Sequence, residues 1–250
     1  MFQSMQANYN YEKYDKNWKR PNGDYFQLLV GFLTNNLAKY SNSSILEIGF
    51  GSARLASILK SIGFTGKYIG LDVQNGAIDF ARKLKLPEPE FKFFLVDDLK
   101  THGLELDRQI DLAIFCLSLC EMKEETVNKY INFLKDNKVN KILVINPSSQ
   151  TQMFPSIIYK SFLSKITSRL GGKATWLIKS KFVQEEECFP AIINGKEDKA
   201  AMQISRSLGK TIQLFLDKGF KLEKYEDIKF PNQTKNHPKI SRFEALWFKV

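Results

Sequence analysis

The chain has 250 residues, of which 43% are hydrophobic and 13% aromatic, enough for one α/β domain with additions or for two small domains. This composition excludes a disordered chain, and no apolar run approaches the roughly 20 residues that a membrane-spanning helix needs. The net charge is +10, but acidic and basic side chains balance within residues 44–146, so the excess lies outside that block.

The cysteine content indicates a reducing compartment. Cys116, Cys120 and Cys188 form no Cys-x-x-Cys pair and are odd in number, so we expect neither a disulfide framework nor a metal site. Residues 1–19 lack the basic-then-apolar order of a secretory signal. A cytoplasmic location is therefore the expectation.

Residues 1–43 predict a helical arm. An aspartate, Asp24, stands near the start of the helical pattern, where an acidic residue is favourable. Apolar side chains then recur at helical spacing, and they are Phe26, Leu29, Val30, Leu33 and Leu37.

Residues 44–146 alternate strand-like and helical patterns. Apolar runs predict strands at 44–50, 67–73, 91–97, 110–119 and 141–146. Helical spacing predicts helices at 53–62, 75–84 and 123–136. Because continuous apolar runs are typical of strands buried on both faces of a parallel sheet, this block predicts a doubly wound α/β core with helices on both faces.

Residues 147–205 interrupt this rhythm and are interpreted as an insertion. Residues 154–172 predict a basic amphipathic helix, and the rest is ambiguous between short strands and loop. Segments of this length between regular elements often form lids or binding walls. Residues 206–250 complete the core: a last helix spanning about 200–217 precedes two antiparallel strands, which bring the mostly parallel sheet to seven strands.

The segment SILEIGFGSARLA, residues 44–56, leads from the first strand into a glycine turn. The dinucleotide pattern Gly-x-Gly-x-x-Gly fails because Arg54 replaces its third glycine, and the Gly-Lys-Ser/Thr of a phosphate-binding loop is absent. The segment does fit Glu47-x-Gly49-x-Gly51-x-Ala53.

This motif resembles the Glu-x-Gly-x-Gly-x-Gly motif of the class I S-adenosylmethionine-dependent methyltransferases. Further positions agree: Asp72 closes the second strand, VDD (96–98) follows the third, and IDLAIFCLSLCEM (110–122) forms the fourth. The terminal strand pair is similar to the hairpin of that family. The resemblance covers residues 44–147 and 211–250.

The resemblance implies S-adenosylmethionine as the cofactor. This ligand has a sulfonium cation and no phosphate, so Glu47 suits it, and glycines let the backbone approach it closely. An acid at Asp72 can accept ribose hydroxyls. The implied cofactor-binding residues are Glu47, Gly49, Phe50, Gly51, Ala53, Asp72, Val73, Asp97, Asp98, Leu99 and Cys116.

The acceptor side is less defined. A general base is needed only if the acceptor is a hydroxyl, and the candidates are Glu121, just past the fourth strand, and His237, in the terminal loop. His102 is interpreted as an exposed loop histidine. Residues 1–43 would fold over the pocket as a lid, as in many relatives, or pack on the surface. The candidate pocket residues are Tyr11, Tyr14, Trp18, Cys120, Glu121 and Asn146.

The sequence therefore predicts an enzyme that methylates an oxygen or nitrogen atom of a small or peptide-like metabolite. The basic excess outside residues 44–146 indicates either an ordinary lysine-rich surface or an anionic acceptor. Two alternatives stay open: a methyltransferase that modifies RNA or another macromolecule, and a relative that binds the cofactor without catalysis.

Overall fold

The computed structural model describes residues 11–12, 24–87, 90–96, 109–147, 156–160, 176–180, 188–193, 196–228 and 243–250. The helices are α1 Asp24–Leu37, α2 Arg54–Ser61, α3 Asn75–Lys83, α4 Glu124–Asp136 and α5 Leu208–Leu216. The strands are β1 Ser44–Ile48, β2 Lys67–Asp72, β3 Phe91–Leu95, β4 Leu112–Cys116, β5 Lys141–Pro147, β6 Ser156–Lys160, β7 Trp176–Ser180, β8 Cys188–Ile193, β9 Lys196–Ile204, β10 Lys221–Ile228 and β11 Phe243–Lys249. Short 3₁₀ turns span Ala38–Tyr40 and Leu119–Glu121.

Seven strands form the central sheet, in the order β10-β11-β5-β4-β1-β2-β3. The five strands from β5 to β3 pair in parallel, while β11 runs antiparallel to both β5 and β10. The predicted fold class, a mostly parallel seven-stranded sheet with an antiparallel C-terminal hairpin, is confirmed. The chain turns from one half of the sheet to the other between β1 and β4, where open α/β sheets bind their ligands.

Apolar side chains fill both faces of this sheet. One face packs against α1, α2 and α3, and the other against α4 and α5. Neighbouring residues of β1 divide between the faces: Ile45 faces the first group of helices, and Leu46 and Ile48 face the second. This double burial explains why the strand sequences are continuous apolar runs.

Helix α1 is a fixed part of the core. Leu29, Leu33 and Leu37, three members of the predicted stripe, are fully buried against the first face. Among the residues that the structure describes, no helix is both long and apolar enough to cross a membrane.

The insertion departs from the prediction. A helix over 154–172 is wrong for residues 156–160, which form β6 and pair antiparallel with β7; the remainder of that segment lies outside the described residues. The sequence SIIYK has two β-branched residues and one aromatic, which favour a strand locally over the helical stripe. The rest of the insertion, which was ambiguous between short strands and loop, contains β7, β8 and β9.

The last helix begins later than predicted. Strand β9 continues to Ile204, and α5 starts only at Leu208. Ser207 sets this start, since its hydroxyl accepts a hydrogen bond from the Lys210 amide at 3.1 Å, as N-cap residues do. The helix ends at Leu216, close to the predicted end at about 217, and Gly219 follows with φ of +88°.

The burial of α1 can be tested by truncating one of its leucines. Leu33→Ala should lower the free energy of unfolding by about 2–5 kcal/mol, because a large buried side chain is replaced by a cavity. The exposed Asn35→Ala on the same helix should change it by less than about 0.5 kcal/mol. Urea denaturation measures both, and equal effects would show that α1 does not pack on the sheet.

Candidate active site

A left-handed turn connects β1 to α2 at the carboxyl edge of the sheet. Gly49, Gly51 and Ala53 have φ angles of +73°, +53° and +50°. Ala53 is the N-cap of α2 and occupies the position that glycine takes in the full motif. An L-residue in this conformation costs roughly 1–2 kcal/mol. The turn nevertheless keeps its left-handed shape with alanine at this position.

The two glycines of the turn have different surroundings. A Cβ on Gly49 would lie 2.5 Å from the Cβ of Ser118, so this glycine lets the loop after β4 pack against the turn. A Cβ on Gly51 would meet no atom of the described residues within 4 Å. As far as those residues define it, the space beside Gly51 is open, as a backbone that approaches a ligand closely requires.

Asp72 ends β2 and holds the turn. Its Oδ2 accepts a hydrogen bond from the Gly51 amide at 2.9 Å, and its Oδ1 accepts one from the Gln74 amide at 3.0 Å. Burial raises the pKa of this carboxyl to about 6, although the backbone donors oppose the rise. The Val73 backbone also bonds to this carboxylate. Since a carboxylate has about four acceptor positions, capacity for a ligand hydroxyl remains.

Glu47 lies deeper, inside β1. It is 2% exposed, and its Oε2 accepts a hydrogen bond from the phenol of Tyr68 on β2. Burial raises the pKa of Glu47 to about 8, the bond from Tyr68 lowers it in part, and the charge of Asp72 adds to the rise. Burial and the charge of Glu47 also raise the pKa of the Cys116 thiol.

Two predicted cofactor residues direct their side chains into the core. The ring of Phe50 packs edge-on against Phe93 with centroids 4.9 Å apart. Gly70 makes room for it, because a Cβ there would lie 2.8 Å from Phe50 Cδ1. Val73 is half-buried against the other face of the sheet. These two side chains therefore contact the hydrophobic core on the two faces of the sheet.

The loop after β4 lies beside the turn. Leu117 has φ of +60°, which is a strained conformation for a bulky residue and is found most often near functional sites. The Ser118 hydroxyl donates to the Ile48 carbonyl at 2.5 Å, and the Cys120 thiol donates to the Leu117 carbonyl at 3.2 Å. Burial and the charge of Glu121 raise the pKa of Cys120.

Arg206, which no sequence pattern indicated, also fixes this loop. It is 2% exposed, and its guanidinium donates to the carbonyls of Leu119 at 3.1 Å and Met122 at 3.0 Å. The two carbonyls flank Glu121, the predicted base, which is half-buried. Arg206, the first residue after the insertion, thereby holds the loop that carries Glu121.

Tyr11 places part of the N-terminal arm at the site. A Cβ on Gly76, in the first turn of α3, would lie 3.0 Å from Tyr11 Cε2, and the ring centroids of Tyr11 and Phe80 are 6.3 Å apart. Burial, then the carboxylates of Asp72 and Glu121, raise the pKa of Tyr11. Its phenol thus lies near one carboxylate of the glycine-turn side and one of the β4 loop.

Asn146 ends β5 next to these elements, since β5 contacts the Leu119–Glu121 turn. It pairs with Glu244 of β11 and is buried. Its side-chain oxygen has no hydrogen-bond partner within the described part of the chain. Buried polar atoms are usually satisfied, so this oxygen is an exception, and the role of Asn146 as a pocket residue stays a prediction.

The structure brings together at one edge of the sheet Glu47, the 49–53 turn, Asp72, Cys116, Glu121 and Tyr11. Seven residues considered in the sequence lie outside the described residues, and their roles stay predictions: Tyr14, Trp18, Asp97, Asp98, Leu99, His102 and His237. The sequence reasoning missed Tyr68, Ser118 and Arg206. Tyr68 had one available signal: it lies four residues before Asp72 on the same strand, and alternate residues of a strand share a face.

Several solved structures with this fold are named S-adenosylmethionine-dependent methyltransferases. One from Mesorhizobium loti is 17% identical, with 88% of this chain and 96% of that chain aligned at a TM-score of 0.57. One from Clostridium acetobutylicum is 11% identical, with 96% and 98% aligned at a TM-score of 0.59. The glycopeptide N-methyltransferase MtfA, solved with S-adenosylhomocysteine, is 14% identical, with 87% and 88% aligned at a TM-score of 0.56.

A sequence relative points the same way. The candidate methyltransferase 235L of Invertebrate iridescent virus 6 is 25% identical over 114 residues. The match covers 46% of this chain and 42% of the viral protein, so the chain spans less than half of that relative's length. No protein-family profile matches the sequence.

The buried carboxyls predict how stability depends on pH. The pKa of Glu47 rises from an ordinary 4.5 to about 8 on folding, so its contribution is fully present below about pH 4.5 and is lost as the pH rises through 8. The free energy of unfolding should fall with pH in this window, by at most about 1.4 kcal/mol per pH unit from this group. Glu47→Gln should flatten the slope, and the exposed Asp79→Asn should not. Urea denaturation from pH 5 to 8 measures it, and equal slopes for wild type and Glu47→Gln would contradict it.

Proposed function

We propose that this chain, which has the fold of the class I S-adenosylmethionine-dependent methyltransferases, transfers a methyl group from S-adenosylmethionine to an acceptor at the carboxyl edge of its sheet. One observation carries the proposal. The open space beside Gly51 adjoins the carboxylate of Asp72, to which the Gly51 amide is bonded. If a nucleoside lay against the turn, the Asp72 carboxylate would be an acceptor for its ribose hydroxyls.

The residues of the turn fit this cofactor. Asp72 keeps acceptor capacity for a ribose hydroxyl beside its bonds from the backbone, and the N-terminus of α2 offers a favourable end for a carboxylate. Glu47 and Asp72 are acidic, which suits a cation better than a pyrophosphate. When bound, the cofactor supplies an activated methyl group, and the chain supplies its position and excludes water.

We infer that the acceptor is a small or peptide-like molecule methylated at oxygen or nitrogen. Tyr11, Glu121 and Asn146 are the described residues that would surround it. Two supports are indirect: MtfA, one protein with this fold, is named a glycopeptide N-methyltransferase, and the basic excess outside residues 44–146 favours an anionic acceptor.

The titrating groups limit the chemistry of the site. Burial raises the pKa of the thiols of Cys116 and Cys120 and of the phenol of Tyr11, so all three are protonated at neutral pH and none acts as a base. Glu121 is the described candidate for taking a proton from a hydroxyl acceptor. An acceptor that is already an anion or a free amine would need no base.

A second candidate function is methylation of RNA or another polyanion, which the net charge of +10 favours. Phosphate contacts release counterions, so binding to single-stranded or duplex RNA should then weaken steeply, by about 10³-fold or more between 50 and 200 mM salt. We expect instead weak binding in a filter or anisotropy assay. Submicromolar affinity with that salt dependence would replace the small-molecule proposal.

The cofactor site can be tested with two matched alanine substitutions. Gly51 and Gly63 both have positive φ angles and open space where a Cβ would lie, so Gly51→Ala and Gly63→Ala should lose similar stability, roughly 1–2 kcal/mol. Only Gly51→Ala should weaken binding of S-adenosylmethionine and S-adenosylhomocysteine in calorimetry, by at least about tenfold, since its methyl group enters the ligand space.

Gly63→Ala should bind both ligands as the wild type does, and none of the proteins should bind NAD. Equal affinities for the two alanine variants would show that the ligand does not lie beside Gly51. Tight NAD binding would overturn the function itself.

A further inference from the structure

Glu47 is a carboxyl group in the middle of the sheet, and no cationic side chain of the described residues lies beside it. Its strand lies between β2 and β4, and it is 2% exposed. Among the described residues, Tyr68 provides its hydrogen bond, and no lysine or arginine pairs with it. A buried carboxylate without a counterion is strongly unfavourable.

The groups that face Glu47 within the described part of the chain are all acids or neutral donors. Tyr68 and Asp72 come from β2, and Cys116 comes from β4. We call these three residues and Glu47 the Glu47 cluster. None of them is cationic, so no group of the cluster compensates a negative charge on Glu47, and Asp72 opposes it.

The location of the cluster links it to the ligand site. Glu47 is two residues before Gly49, and Asp72 belongs both to the cluster and to the turn through its bond with Gly51. The open space beside Gly51 therefore adjoins Asp72, one member of a cluster that carries no positive charge. A cation that enters this space would supply the missing counterion.

We propose that Glu47 is protonated in the free protein and ionises when the cationic cofactor binds, which makes it the residue that favours S-adenosylmethionine over the uncharged S-adenosylhomocysteine. This inference rests on the proposed function. The direction agrees with the raised pKa of Glu47, which burial causes.

The charges balance over one turnover. On binding, the Glu47 proton would go to solvent, and the carboxylate would compensate the positive charge of the ligand. Methyl transfer would leave the C–S electron pair on sulfur as a neutral thioether; a hydroxyl or amine acceptor would lose one proton to solvent, and an anionic acceptor would lose none. Glu47 then takes one proton from solvent, so the neutral product faces a neutral carboxyl group and its release is favoured.

Calorimetry of both ligands between pH 6 and 9 tests the proposal. In the wild type, the ratio of S-adenosylmethionine to S-adenosylhomocysteine affinity should rise by up to about tenfold per pH unit and level off above about pH 8. Glu47→Gln keeps the size and hydrogen bonding of the side chain. It should lower this affinity ratio at pH 8 by at least about tenfold and remove the pH dependence that Glu47 causes. Sinefungin, which carries an amine in place of the methylated sulfur centre, should behave like S-adenosylmethionine.

Proton release gives an independent readout. Titrations in buffers of different ionisation enthalpy should show about 0.5–1 proton more released per S-adenosylmethionine bound by the wild type than by Glu47→Gln at pH 7. The amino group of the ligand titrates equally in both proteins and cancels in this difference. Tyr68→Phe should move the transition to higher pH, because the hydrogen bond from Tyr68 lowers the pKa of Glu47.

The outcomes separate this inference from the proposed function. Retained S-adenosylhomocysteine binding by Glu47→Gln would show that the variant is folded, and Asp79→Asn should match the wild type throughout. Failure of both ligands to bind the wild type would overturn the function. Binding of both ligands with the same pH dependence and the same proton release in wild type and Glu47→Gln would overturn the role of Glu47 alone.

Discussion

The hydrogen bond from the Gly51 amide to the Asp72 carboxylate is the interaction on which the candidate site depends. It ties the turn after β1 to the end of β2, and a second bond from Gln74 fixes the other oxygen. With the carboxylate held on both sides, Gly51 and Ala53 keep left-handed backbone angles. The Asp72 carboxylate therefore stabilises the turn and can also accept a hydrogen bond from a ligand beside Gly51.

A second set of contacts joins this turn to the loop after β4. Gly49 admits Ser118 at a distance that any Cβ would block, and the Ser118 hydroxyl bonds to the end of β1. Arg206 holds the far side of the loop through two carbonyls. The proposed cofactor side and acceptor side are thus one packed unit, and Glu121 is positioned by residues distant in sequence.

Much of the site could be predicted from local patterns. Glu47, the glycines and Asp72 follow directly from strand ends, and parallel strands bring their carboxyl ends to one edge. Tyr68 and Arg206 could not be found this way, because pairing Tyr68 with Glu47 requires the register of β1 on β2, and Arg206 acts across 87 residues on Leu119. Residues 156–160 were misjudged because short apolar segments fit a helix and a strand equally well.

By itself the sequence determined the doubly wound core, the hairpin that completes it and the residues of the turn, because apolar periodicity and glycine positions are local properties of the chain. The tertiary structure decided the state of those residues. Burial between two strands raises the pKa of Glu47 to about 8, so a group that reads in the sequence as a fixed negative charge holds a proton near neutral pH. Solvation and strand register, which no local pattern encodes, are the physical reason.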